Sequence, residues 1–102
     1  MYNVHMAYLE FEWDSGKAKS KEKKHGVSFE EAKSAFFDAQ AIVYFDPDHS
    51  EDEDRFLLLG TSYKLNQLVV CHCFREEETK VRIISARKAD EEDTNAYWEN
   101  RK

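Results

Sequence analysis

Val81-Arg82-Ile83-Ile84-Ser85-Ala86-Arg87 is the stretch whose reading decides the fold. Its β-branched residues favour an extended backbone, so Val81–Ala86 is expected to be a strand, with Arg82 near its start and Arg87 just past its end. Strict alternation puts Val81, Ile83 and Ser85 on one face and Arg82, Ile84 and Ala86 on the other. An arginine then stands on an otherwise apolar face. It either pairs with one of the chain's many carboxylates or belongs to an anion site built on a sheet.

The two preceding segments favour a sheet. Arg55–Leu59 and Gln67–Phe74 are each rich in strand formers, and they are separated by short polar stretches, Gly60–Asn66 and Arg75–Lys80. Three strands so linked form an antiparallel meander. His72 and Arg75 fall at the end of the middle strand, where its neighbours would bring Arg55 and Arg82 near. Cationic and titratable groups are thus expected to converge on the sheet.

Upstream, Tyr8–Glu12 alternates apolar and acidic residues like a half-buried strand, whereas residues 1–7 show no period and are expected to be a loose tail. Asp14 is a suitable N-cap for a helix through Lys24, which Gly26 would stop. Lys17, Lys21 and Lys24 share one face of that helix. Only Ala18 within it is apolar, so Trp13 and Val27 at its ends must hold it down. Ser28 and Glu31 form a capping-box pattern for a second helix reaching about Asp38, with Phe29, Ala32 and Phe36 at core spacing. Ala41–Phe45 is read as another strand, ended by Asp46 and Pro47. Downstream of the meander, Asp90 caps a last helix, with Asp93 at its third position and Ala96, Tyr97 and Trp98 to bury. The reading is one α+β domain over residues 1–102, a small antiparallel sheet packed against helices.

Composition narrows the function classes. The chain has 102 residues, 41% of them hydrophobic, enough for one modest core. No apolar run approaches the ~20 residues of a spanning helix, and the N-terminus lacks a secretory pattern, so the expectation is a cytoplasmic protein with no membrane partner. Net charge is −6, from 21 acids and 15 bases, but the distribution is uneven: bases crowd at Lys17–Lys24, acids at Asp48–Asp54 and Asp90–Asp93. The acidic loop lacks the ligand spacing and glycine of a calcium loop. Cys71 and Cys73 have neither a zinc nor a disulfide spacing and are read as core thiols. No metal or cofactor is expected.

Several blocks now carry a resemblance. Phe11-Glu12-Trp13-Asp14, Lys17, Lys24-His25-Gly26-Val27-Ser28-Phe29-Glu30-Glu31-Ala32, Phe45-Asp46-Pro47, His49-Ser50-Glu51-Asp52-Glu53-Asp54-Arg55-Phe56, Gly60 and Arg82-Ile83-Ile84-Ser85-Ala86-Arg87 resemble, in that order, the BrnT toxin family. The resemblance implies a toxin of a type II toxin–antitoxin pair with a RelE-like fold: a strand, two helices, four strands and a C-terminal helix. It further implies a ribonuclease that blocks translation. The implied partner is a BrnA-like antitoxin, which forms a hetero-oligomer with the toxin and alone contacts DNA. Asp90-Glu91-Glu92-Asp93 departs from the family's more basic or threonine-led start to the last helix.

Metal-independent RNA cleavage needs a base for the 2′-hydroxyl proton, cations for the phosphorane and an acid for the 5′-oxygen. Arg55, Arg75, Arg82 and Arg87 are the candidate phosphate clamps, because a guanidinium grips two oxygens and stays charged. His72 is the first candidate proton carrier, with His25 and His49 behind it. Lys17, Lys21 and Lys24 would hold the RNA backbone as point charges. Each residue also has a structural reading: His72 as a hydrogen-bonded strand residue, His25 as a helix cap, His49 as a loop staple, Arg55 as a partner of the acidic loop. Two other functions compete with the enzyme: a non-catalytic module that completes a repressor with its antitoxin, and a small metal-binding domain using His49 and the acidic loop.

Overall fold

In the computed structural model, which describes residues 9–75 and 79–100, the chain runs β1 (Glu10–Glu12), α1 (Ser15–His25), α2 (Phe29–Ala35), β2 (Ile42–Phe45), a 3-10 turn (Pro47–His49), β3 (Phe56–Thr61), β4 (Gln67–Arg75), β5 (Lys80–Lys88) and α3 (Glu91–Asn100). The expected order of strand, two helices, four strands and helix is present. All five strands form one sheet, in the order β1-β5-β4-β3-β2. β2 to β5 pair antiparallel, but β1 pairs parallel to β5, with Glu12 opposite Arg82. The sheet is therefore mixed rather than purely antiparallel. The two helices and three strands between β1 and β5 give the chain ample length for a parallel return. The expected tail at residues 1–7 lies outside the described residues, as do residues 76–78 of the β4–β5 turn.

Local chemistry explains the helices. The Asp14 carboxylate accepts the Lys17 N–H at 2.9 Å, and Gly26 ends α1 in the left-handed region at φ 75°. No residue of α1 is buried. The helix is held by Ala18, by fully buried Val27, and by Trp13, which meets Phe29 edge-on at 6.0 Å. Ser28 caps α2 through the Glu31 N–H. The Glu31 carboxylate does not return to the cap. It is buried, and it accepts hydrogen bonds from Ser62 Oγ and Asn66 Nδ2 at 2.6 and 2.8 Å, which fixes the β3–β4 turn against α2.

The core lies between α2 and one face of the sheet. Phe29, Ala32, Ala35 and Phe36 meet Leu58, Leu68, Val70, Val81, Ile83 and Ala86, and each large apolar side chain so buried contributes about 1.5–3 kcal/mol. α3 crosses the opposite face, seating Tyr97 on Leu59 and Val69. It opens as the sequence implies: the Asp93 N–H donates to Asp90 Oδ1 and the Asp90 N–H donates to Asp93 Oδ2. Among the described residues no helix is long and apolar enough to cross a membrane. α3 covers only part of its face, and the uncovered part lies beside α1.

Candidate active site: a cationic groove on the open face

A bulge in β5 fixes which arginines share that open face. Cys71 pairs with Ser85 and His72 with Ile83, so Ile84 has no partner on β4. The extra residue shifts the alternation. Val81, Ile83 and Ala86 point to the core, and the expected pairing of faces fails beyond Ile83. Arg82 and Arg87, five positions apart, are thereby brought onto one face. In register across the sheet, Arg82 stands opposite Cys73 and Arg87 opposite Val69, with Arg75 two residues beyond Cys73.

Two adjoining clefts occupy this face. The larger, about 290 Å³, is bordered by Lys21, His25, His49, Arg55, Ser85 and Arg87. The smaller, about 190 Å³, is bordered by Asp14, Lys17, Glu53, Arg55, Arg75 and Arg82. Arg55 and Ile84 border both, so the clefts form one groove. Asp14, Lys17, Lys21 and His25 recur at helical spacing, and α1 is thus the groove's cationic wall. Lys24, expected on that wall, is exposed and borders neither cleft.

Carboxylates hold the arginines in place. Arg82 Nη1 lies 3.0 Å from Glu12 Oε2, Arg87 Nη1 lies 2.9 Å from Asp93 Oδ2, and Glu53 lies 3.5 Å from Arg55 and 3.3 Å from Arg75. Burial acts to raise the Asp93 carboxyl, but the Asp90 amide and the Arg87 guanidinium outweigh it and hold the pKa below the usual range. The bland reading of Arg82 as half of an ion pair is therefore true of the structure. Such partly exposed pairs are worth about 0–1 kcal/mol. The Arg55 Nε is buried with no hydrogen-bond partner among the described residues.

The histidines separate clearly. His72, the first candidate proton carrier, sits on the core face, fully buried, with its ring 4.8 Å from that of Phe36 and 5.3 Å from that of Phe74. Burial pushes its pKa down to about 4, against an opposing hydrogen bond to the Val70 carbonyl. From there it cannot reach a substrate in the groove. His25 and His49 both border the larger cleft. His49 Nδ1 lies 2.8 Å from Asp46 Oδ2, and the Asp46 carboxyl is itself nearly buried. Sequence reasoning kept His49 as a secondary proton carrier beside its reading as a loop staple, and what it passed over is Asp46 as the partner of that ring. The available signal was Asp46-Pro47-Asp48-His49: Pro47 starts a 3-10 turn, in which residues three apart eclipse. Cys71 borders the larger cleft, but burial raises the pKa of its thiol and that of Cys73, so neither is a ready nucleophile. Among the described residues no three His, Cys, Asp or Glu side chains gather as a metal site.

The groove on this small α+β fold is lined by guanidinium groups, walled by lysines and bordered by two histidines. The chain matches the family model of the ribonuclease toxin BrnT of type II toxin–antitoxin systems over residues 13–93, and it belongs to that family. Among solved structures it is similar to the crystal structure of the Brucella abortus ribonuclease toxin BrnT. The TM-score is 0.62 at 21% identity, and the match covers 81% of this chain and 99% of that one. At that identity the likeness carries the fold. No curated protein sequence matches the chain.

Proposed function

We propose that the groove binds and cleaves RNA, that the cleavage blocks translation in the cytoplasm, and that a BrnA-like antitoxin neutralises the toxin and supplies the complex's only contact with DNA. The observation that carries this reading is the bulge at Ile84, which aligns Arg82 and Arg87 on the face that also holds Arg55 and Arg75. In this mechanism Arg87 and Arg55 clamp the scissile phosphate in the larger cleft. Arg82 and Arg75 hold a neighbouring phosphate in the smaller one. Lys17 and Lys21 follow the backbone along α1, and His25 supplies a titratable group. Preorganised cations at the point of developing charge are often the largest catalytic contribution, about 10²–10³-fold for a single donor.

A second reading has one observation in its favour. Each of the four arginines lies within 4 Å of a carboxylate, as suits an interaction module that serves only as its antitoxin's co-repressor. One experiment separates the two. Purified protein is incubated with single-stranded RNA in EDTA at low salt, beside Arg82→Ala and Arg87→Ala variants checked for folding by circular dichroism. Cleavage by the wild type that falls about 100-fold or more in each variant supports the enzyme. Intact RNA with the wild type supports the module.

A further inference from the structure

We infer that Asp46 and His49 form the proton-transfer dyad of this ribonuclease, with His25 as its counterpart across the larger cleft; the inference rests on the reading of the groove as an RNA-cleaving site. The two members of the pair differ sharply in exposure. The Asp46 side chain is 9% exposed and that of His49 is 65% exposed, with Nδ1 tied to the carboxylate at 2.8 Å. A carboxylate that accepts from Nδ1–H fixes the tautomer whose Nε2 lone pair is free. A buried acid orienting an open imidazole is more than a loop needs to hold its shape.

The turn is also braced from the sheet. Ser50 Oγ donates to the Asp46 carbonyl at 2.6 Å and accepts the Arg55 N–H at 2.9 Å, while the Asp46 N–H donates to the Arg55 carbonyl at 2.9 Å. The dyad and the Arg55 clamp are thus parts of one rigid corner, which is the preorganisation a catalytic group requires. The charges around His49 give it a polarity. Lys21 and His25 from α1, Arg55 leading into β3, and Arg87 on β5 lie on the cleft side. Asp48, Glu51 and Asp52 of its own loop lie on the other, and Glu53 and Arg55, which also border the smaller cleft, stand at the boundary. A phosphate is drawn to the cleft side and repelled from the loop side, so it meets the ring from the cleft.

The step this arrangement supports is an internal transesterification. His49 Nε2 removes the proton of a 2′-hydroxyl, the 2′-oxygen bonds to the adjacent phosphorus, and the bond from phosphorus to the 5′-oxygen breaks. The protonated His25 ring gives its proton to that leaving oxygen. The products are a 2′,3′-cyclic phosphate and a 5′-hydroxyl, and exchange with water restores both rings.

Asparagine at position 49 can still donate to Asp46 but cannot carry a proton, so it separates catalysis from stapling. With a short RNA in EDTA, His49→Ala and His49→Asn are both expected to lower kcat/KM by about 10²–10⁴-fold. RNA affinity should stay within a few-fold, and one limb of the pH–rate profile should vanish. Asp46→Asn is expected to displace that limb. An RNA carrying a 2′-deoxy sugar at the cut site should resist the wild type. Wild-type cleavage that His49→Asn matches in rate and pH profile overturns the dyad alone. RNA left intact by the wild type overturns the ribonuclease reading, and the dyad with it.

Discussion

His72 carries a pH dependence of stability that has nothing to do with the groove. Its Nδ1 lies 3.1 Å from the Val70 carbonyl, and its Nε2 is buried with no partner among the described residues. The folded-state pKa of about 4 lies below the ordinary histidine value of 6.5, so the unfolded chain takes up the proton first as the pH falls. The stability involved is intact above about pH 6.5 and is lost progressively towards pH 4, on the order of 3 kcal/mol. Urea unfolding at pH 7.5 and pH 4.5 should show the loss in the wild type and a smaller one in His72→Phe. The same variant should cleave RNA as the wild type does, since the ring it replaces faces α2. The sequence showed that a histidine sits on a central strand. Which face it takes depends on the partner strands, and a single strand does not carry that information.

At the scale of elements, two glycines separate a conformational role from a packing one. Gly26 stops α1 at φ 75° with open space around a hypothetical Cβ, whereas a Cβ on Gly60 would lie 2.9 Å from the Ala35 carbonyl oxygen, where β3 passes the end of α2. Gly26→Ala should cost about 1 kcal/mol, from backbone strain alone. Gly60→Ala should cost about 1–3 kcal/mol by forcing the two elements apart, and would show the larger fall in urea midpoint. The caps Asp14, Ser28 and Asp90 were all legible, because a side chain and an amide two or three residues on make a local pattern. The arginines were legible as cations, and their common face was not. The bulge at Ile84 is a property of two paired strands, and β1's parallel partner lies some seventy positions away, as the Glu12–Arg82 pair records. The Asp46–His49 pair was local and still escaped, because the motif reads as the end of a strand unless the turn's three-residue period is considered.

Over the whole molecule, a net charge of −6 coexists with a cationic groove, and the acids within the groove restrain the arginines. Replacing Glu53 by Gln would remove the carboxylate that Arg55 and Arg75 share, leaving Arg75 paired only with Glu12 at 3.8 Å, and RNA affinity at 50 mM salt is expected to rise several-fold in filter binding. If the lysines act as point charges on the backbone, Lys17→Ala should flatten the log–log salt dependence by about 0.7, with little change in sequence preference.

The parallel union of β1 with β5 has a temporal consequence. Glu12 meets Arg82, and Arg87 meets Asp93, only after the chain has passed residue 80. During synthesis the N-terminal segment waits, unpaired along that edge, until almost the entire polypeptide has left the ribosome. A fragment abandoned before Lys80 carries the lysine helix and the dyad but neither of the β5 guanidinium groups. On the proposed function, interrupted translation therefore yields no active toxin, because the groove is completed by the last strand to be made.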